Sequence, residues 1–399
     1  MGKLINLRYP TYYKKFKCIG GDCEDSCCIG WDIDIDKTTF KQYFKVQDKE
    51  MKTMFQKNVH NNQYCTSPDV DYGRVKLKKG KRCPFLDDNN LCIIYSNIGE
   101  EYLSNVCTCY PRLINKIDNF YEISLDVACP EAARIFLSEK DGISFSEEKT
   151  SLGKHIVQSY IDTNDKQYSK TLIKYFKEIR DKSIEIIKNR NHSLDERIYL
   201  LGIFLDKVNE CFENSSNVKI FIDKYNIDQN IKLKSEKSKY IIQVSFMKDL
   251  IEKLNLEKEI DSVKFKKYTK KLYENYKFIN NELNQASNIY IRYYDDYIQN
   301  DFKKFSYILE NYIVNFMYNN LFPFTESEEI FDGYIMLLIR YSLIKFYLIG
   351  LNVNNKEDII DIIQVFSKAI EHHKTYFIDV LDYLKDCGYD NIQFAKTLL

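Results

Sequence analysis

Proline is scarce in this 399-residue chain: there are six, and only Pro323 falls beyond Pro130. Long helices are therefore permitted over most of the length, because proline breaks a helix interior. Histidine occurs five times, and only His60 lies among the cysteines, while His155, His192, His372 and His373 fall further on. An imidazole-based metal site is thus disfavoured against an all-thiolate one. No charge is in excess, since Lys plus Arg and Asp plus Glu number 58 each. Without a basic surplus nothing points to nucleic acid, and without an acidic surplus nothing points to disorder. The glycine-rich turn of many nucleotide-binding folds is missing, because Gly20-Gly21 is an isolated pair. The most apolar run, Tyr334 to Leu351, is interrupted by Arg340 and Lys345. It reads as a buried helix and not as a membrane span of about 20 apolar residues. No transmembrane segment is expected, and peripheral membrane association and oligomeric state are left open. The first residues lack the apolar core of an export signal, and Asn6 stands where a myristoylation signal carries Ser or Thr. The expected location is the cytoplasm.

Cysteine is what the chain has instead. Ten of its twelve fall in the first 129 residues: Cys18, Cys23, Cys27, Cys28, Cys65, Cys83, Cys92, Cys107, Cys109 and Cys129. In a reducing compartment such a framework points to metal binding or catalysis rather than to disulfides. Thiolates suit zinc and iron–sulfur clusters, both soft enough to prefer sulfur. The spacings Cys18-x4-Cys23 and Cys23-x3-Cys27 fit a two-knuckle zinc module only loosely. A cubane cluster tolerates irregular spacing and distant ligands better. A radical-type Cys-x3-Cys-x2-Cys loop fails, because Gly30 stands at the third place after Cys23 and Cys27. Adjacent Cys27 and Cys28 should diverge, so that one ligates while the other serves a second site or supports the first. Asp22, Glu24 and Asp25 could offer oxygen, but they read first as the solvated rim of a loop. Cys211 and Cys387 read as helix-face thiols.

The fold class read from the pattern is mainly α. A small, irregular α+β cysteine-rich domain, residues 1–140, precedes an all-helical domain, residues 150–399, with a polar tract at 213–238 as a possible hinge. Phe85-Leu86 and Leu91 to Tyr95 flank Asp87-Asp88-Asn89-Asn90, a hairpin that would bring Cys83 and Cys92 together. Asn97 and Glu100 resemble a capping box leading toward Cys107. A second hairpin is expected over 113–127 around Asp118-Asn119, then a helix over Pro130 to Leu137. Beyond residue 150, Leu172, Ile173, Phe176, Ile179, Ile186 and Ile187 mark a helical face. Ser193-Leu-Asp-Glu196 is a capping box opening a helix to about residue 212. Further helices are expected at about 238–254, 260–285, 287–320, 328–350, 356–374 and 375–386.

The stretch from Tyr13 through Cys18, Cys23, Cys27 and Cys28 to Trp31 resembles the opening of the flagellin lysine N-methylase family. The likeness continues through Cys83-Pro-Phe-Leu86, Leu91 to Tyr95, Cys107-Thr-Cys-Tyr-Pro-Arg112 and Cys129-Pro-Glu-Ala-Ala-Arg134. It returns at Glu310 to Asn315, at Leu321-Phe-Pro323 and at Phe366 to His372. The cysteine pattern is also similar to a broader family of zinc- or iron-chelating domains. The resemblance implies transfer of a methyl group from S-adenosylmethionine to lysines of flagellin, with a [4Fe-4S] cluster. The cysteines it carries over are Cys18, Cys23, Cys27, Cys28, Cys83, Cys92, Cys107 and Cys129. Eight exceed the four that one cubane needs, so two sites exist or some thiols play supporting parts. Glu310, Tyr312 and Glu371 lie in matched helical segments and are candidates to deprotonate the substrate lysine, read against surface charge and core aromatic. The competing reading is a zinc-stapled protein-interaction module without catalysis.

Overall fold

Residues 5–10, Ile-Asn-Leu-Arg-Tyr-Pro, alternate apolar and polar side chains, and in the computed structural model they form strand β1 with Leu7 and Tyr9 turned into a core. The structure describes residues 4–228, 230–233, 237–253, 260, 262–278, 283–297, 303–371 and 376–399. The chain divides into two compact units, residues 1–135 with 144–161, and residues 136–143 with 162–399.

The first unit holds two sheets. Strands β5 (Arg112–Ile117) and β6 (Phe120–Leu125) form the expected hairpin, with Asp118 in the left-handed region at φ 52°. An aspartate tolerates that conformation because its side chain bonds the local backbone. β6 then pairs in parallel with β1, which pairs antiparallel with β7 (Phe145–Thr150), while β8 (Ser159–Ile161) joins the other edge. A smaller sheet runs β2 (Asp34–Ile35), β4 (Gly73–Val75), β3 (Val59–Asn61). Against it lie helices α1 (Lys37–Tyr43) and α2 (Lys49–Asn58), N-capped by Asp36 and Asp48. Their apolar faces bury Tyr43, Met51 and Phe55 together with Ile35, Val75, Cys83 and Phe85, and the Tyr43 and Phe55 rings stack at 3.9 Å. Cys28 and Cys92 pack on the same cluster.

The 83–109 region departs from expectation. The hairpin shrinks to a single bridge, Leu86 to Cys92, and the chain turns at once into helix α3 (Ile93–Ile98). Asn97 lies in the last turn of that helix instead of opening one, and Gly99 at φ 104° ends it. The helix toward Cys107 is α4 (Asn105–Cys109), and its cap is Ser104, whose hydroxyl accepts from the Cys107 N–H. Helix α5 (Pro130–Leu137) forms as the proline at its first position predicts.

The second unit is helical. Helix α6 (Phe176–Lys188) buries Ile179, Ile186 and Ile187, and α7 (Leu194–Glu213) opens with both hydrogen bonds of the Ser193/Glu196 capping box. Inside the polar tract, Val218–Lys224 forms helix α8, capped by Asn217, and α9 spans Lys237–Lys253. The expected 260–285 helix is α10 (Val263–Tyr276), stopped by Lys277 at φ 57°. Over the expected 287–320 helix lie α11 (Leu283–Asp296) and α12 (Lys303–Asn319), and residues 298–302 lie outside the described residues. Then come α13 (Ile330–Gly350), α14 (Lys356–Phe366), which runs into a π turn at Ser367–Glu371, α15 (Tyr376–Asp386) and α16 (Ile392–Leu398). His372 and His373 lie outside the described residues. Cys211 is half-buried on α7, whereas Cys387 lies just past the end of α15.

Helix α13 is the core of this unit, buried along its length apart from Phe331. It is the one described helix long and apolar enough to cross a membrane, and that stretch is wholly buried by the rest of the protein. Its two interior cations are paired, Lys345 with Asp195 at 2.7 Å and Arg340 with Glu326. Pairing is what makes buried charge tolerable. With sixteen α-helices among the described residues and little strand, the protein is mainly α.

Candidate functional site

The first cysteine loop is drawn in by small residues and short hydrogen bonds. A 3-10 turn at Gly20–Asp22 closes when the Cys23 N–H donates to the Gly20 carbonyl at 3.2 Å, and the Gly20 N–H points to Cys18 Sγ at 3.4 Å. A Cβ at Gly21 would stand 2.8 Å from the Asn89 carbonyl oxygen. The glycine pair thus serves close approach of the loop to the 87–91 turn that leads into Cys92. In that turn the Asp87 carboxylate accepts from the Asn89 and Leu91 N–H groups at 2.8 Å each.

Cys28 is joined to the next segment through backbone: its carbonyl accepts from the Cys83 N–H at 2.9 Å. Ile93 N–H donates to the Phe85 carbonyl at 2.9 Å, so Cys28, Cys83 and Cys92 are held on neighbouring strands of chain. Cys107 comes in on α4. There the Ser104 hydroxyl donates to the Asp34 carbonyl at 3.2 Å and the Asn105 N–H donates to Asp36 Oδ2 at 2.9 Å. Cys27 is fixed by Trp31, whose indole N–H donates to its carbonyl at 2.7 Å and whose ring meets Tyr110 edge-on at 5.2 Å. Cys129 precedes α5, and Arg134 of that helix pairs with Glu24 at 2.6 Å. Glu24, read as a rim carboxylate, is thus the tie between the loop and α5.

These thiols sense one another. Burial pushes Cys83 up to about 11, with Cys92 adding to it. Cys107 is exposed by area yet crowded by protein atoms, and that desolvation, followed by Cys83, Cys92 and Cys27, raises it to about 12. Burial and then Cys23 and Cys27 take Cys129 to about 12. Cys28 is driven far higher, first by a hydrogen bond with the Cys27 thiol, then by burial, then by Cys27, Cys107 and Cys83. The adjacent pair, expected to diverge, therefore keeps its sulfurs in contact. Burial also raises Cys23 and Cys92, and each has Cys27 among its neighbours.

Two thiols stand apart. Cys65 donates to Asp71 Oδ1 at 3.3 Å in a loop of its own, and buried Cys109 faces the Lys154 carbonyl at 3.8 Å. Seven of the eight cysteines carried over by resemblance thus influence one another, and Cys18 adjoins them through the Gly20 turn. Among the described residues no three Cys, His, Asp or Glu side chains already stand in ligating geometry. Uncharged thiols have no attraction to hold them in a ligand shell, which forms when metal replaces their protons. A converging donor set of sulfur alone fits iron–sulfur or zinc chemistry.

In the second unit, Glu310 is no surface charge. It is buried and accepts from Arg197 at 2.6 Å and from Arg190 Nε and Nη2 at 2.9 and 2.8 Å. Tyr312 is buried, donates to Glu371 Oε1, and has its pKa raised well above the usual value by burial and by Glu371. Glu371 closes the π turn, lies 3.8 Å from Arg340 and keeps part of its side chain exposed. Sequence reading had no signal for Trp31–Tyr110, whose partners are far apart in the chain. Ser104, three residues before Cys107, carried an N-cap signal that the Asn97 reading passed over.

The protein is therefore a helical one with a cysteine-lined α+β unit. Its helical part places it in a family: residues 180–398 match the model of the FliB lysine N-methylase C-terminal domain, and the chain belongs to that family, one of methyltransferases. Flagellar biosynthetic protein FliU of Salmonella muenchen is 33% identical over 172 residues, covering 42% of this chain and 97% of the relative. Lysine-N-methylase of Salmonella typhimurium (strain LT2) is 33% identical over 151 residues, which is 37% of this chain. That of Salmonella choleraesuis (strain SC-B67) gives the same figures. The aligned part spans 36% of the length of either lysine-N-methylase. No solved structure matches this chain.

Proposed function

We propose that the protein is a cytoplasmic protein lysine N-methyltransferase that takes a methyl group from S-adenosylmethionine and places it on flagellin. Membership of the FliB lysine N-methylase family over residues 180–398 carries this reading, and the relatives' flagellar and lysine-methylase names supply the substrate class. The cysteine unit, with Cys18, Cys23, Cys27, Cys28, Cys83, Cys92, Cys107 and Cys129, would hold the [4Fe-4S] cluster. When bound, a cluster supplies iron as a Lewis acid or electron relay.

The chemistry sets a demand on the chain itself. A lysine side chain has a pKa of about 10.4, so at pH 7 only about one in a few thousand is neutral, a cost of about 4–5 kcal/mol. In a direct transfer the neutral nitrogen forms the new N–C bond, the S–C bond breaks, S-adenosylhomocysteine leaves, and the lysine proton passes to a base. Glu310 is committed to two arginines, and Tyr312 is held as the neutral phenol. Glu371, oriented by the Tyr312 hydroxyl and partly exposed, is the carboxylate we assign to meet the incoming ammonium.

The test is to incubate anaerobically purified protein with S-adenosylmethionine and flagellin and to map the flagellin peptides by mass. Methyl additions on lysine, dependent on both donor and protein, support the reading. Unmodified flagellin from protein with a full metal complement overturns it.

A further inference from the structure

We propose that Glu326 is the second carboxylate of the lysine site, holding the substrate ammonium while Glu371 takes its proton, and that Arg340 positions the two. This rests on the reading of the chain as a lysine methylase and goes beyond it by naming what binds the substrate's charge.

Arg340 lies inside α13, where its guanidinium covers the Phe316 ring of α12 at 4.5 Å and its Nη1 donates to the Met336 carbonyl at 3.2 Å. Its Nη2 donates to Glu326 Oε1, and its Nε lies 3.8 Å from Glu371 Oε1. Nε and Nη2 form one edge of a planar fork, so the two carboxylates meet the same side of one cation. Glu371 is fixed in turn by the Tyr312 hydroxyl, and its side chain stays 16% exposed. Glu326 comes from the loop between α12 and α13, where Glu328 and Glu329 are exposed. An approach lined with carboxylates draws in a cationic side chain in preference to a neutral one.

What singles out Glu326 is its other oxygen. Oε2 is buried and has no hydrogen-bond partner among the described residues, on a side chain only 8% exposed. A buried carboxylate oxygen without a donor is costly, and a charged donor such as an ammonium removes that cost. Two further features fall at the same place. Glu371 closes the π turn Ser367–Glu371, a helical form that occurs mostly as single turns and frequently at functional sites. Ser367 opens that turn, is wholly buried, and has a hydroxyl without a hydrogen-bond partner among the described residues. The lysine ammonium brings three N–H donors, one for Glu326 Oε2 and one for Glu371. When the N–H bond facing Glu371 breaks, the proton passes to that carboxylate and the freed lone pair attacks the donor's methyl carbon. Glu326, committed to Arg340 through its first oxygen, keeps the amine in place through its second.

Binding is measured by calorimetry on the full chain purified without oxygen, with no methyl donor present. The probes are a lysine-bearing flagellin peptide and the same peptide acetylated on the lysine nitrogen, which removes the charge and two of the three donors. Wild type should bind the free-lysine peptide about tenfold or more tightly than its acetylated twin. Glu326→Gln should erase that preference and Glu326→Asp should recover part of it. In turnover, Glu326→Gln should raise KM for flagellin about tenfold with kcat within about threefold of wild type, the signature of a binding group. A wild type that binds both peptides equally overturns the assignment without recourse to any variant. So does a Glu326→Gln protein that melts with wild type and keeps the preference. Either result leaves the methylase reading standing where flagellin is methylated. A preference that depends on Glu326, in a protein that leaves flagellin unmethylated, supports the ammonium site and overturns the methylase reading instead.

Discussion

The amide of Cys83 donates to the carbonyl of Cys28 at 2.9 Å, so the two segments that carry these thiols are stitched through backbone before any metal is present. A backbone stitch survives side-chain replacement. Cys83→Ser in metal-free protein should therefore lower stability by only about 1–2 kcal/mol, the effect of a polar atom in a buried thiol position. In metal-loaded protein the same change should cost far more, because binding energy is then lost as well. Denaturant unfolding with and without metal measures the difference.

Lys345 and Asp195 form one buried ion pair of the helical core, joined by the Tyr341 hydroxyl, with the ammonium 5.0 Å from the Tyr294 ring. Removing one partner strands a buried charge. Asp195→Ala should cost about 3–5 kcal/mol, and pairing it with Lys345→Met should recover much of that loss. A double-mutant cycle by urea denaturation checks it.

Gly333 sits inside α13, where alanine would ordinarily favour the helix by about 1 kcal/mol. Here the sign reverses. A Cβ at Gly333 would lie 1.8 Å from the Pro323 carbonyl oxygen, a backbone atom that cannot turn aside. Gly333→Ala should destabilise by about 3 kcal/mol or more, since overpacking alone costs about 1–3. Thermal unfolding of the variant is the measurement.

The capping box of α7 makes a pH prediction. Burial alone would raise the Glu196 pKa, but hydrogen bonds from Ser193 and the charge of Lys232 outweigh it and the net shift is downward. A carboxylate whose folded pKa is depressed contributes stability above its ordinary pKa and loses it as pH falls through the folded value. Glu196→Gln should cost about 1 kcal/mol at neutral pH, and the gap to wild type should close in acid as the wild-type carboxylate is protonated. A gap that widens in acid would contradict this account of the cap.

If Glu371 receives the lysine proton, Glu371→Gln should lower the transfer rate by about 100-fold or more while leaving the fold in place. Glu310→Gln should instead lower stability, because buried Arg197 and the more exposed Arg190 lose their anion. Rates under saturating flagellin and melting curves of the two variants separate catalysis from packing. Equal loss of stability in both would remove Glu371 from the reaction.

What could be read from the sequence was what is local. Ser193 and Glu196 lie three residues apart, Pro130 marks its own helix start, and the period of Ile330 to Gly350 needs no partner to be seen. The five-stranded sheet was hidden because its pairings are distant: Leu7 lies beside Tyr121 and Glu148. The strand Phe-Ser-Glu-Glu-Lys-Thr at 145–150 is an edge strand whose polar side chains give no alternation to detect. Cysteine identities announced the kind of site, but the contact between Cys27 and Cys28 and the separation of Cys65 and Cys109 depend on tertiary placement. Lys277 stopped a helix that apolar spacing alone would have continued.

The most direct measurement is the metal and sulfide content of protein purified without oxygen, taken with its absorption spectrum. The account predicts about four iron and four sulfide per chain, with a visible thiolate-to-iron band that bleaches in air. Zinc alone in a colourless protein would contradict the cluster and return the cysteine unit to a structural module.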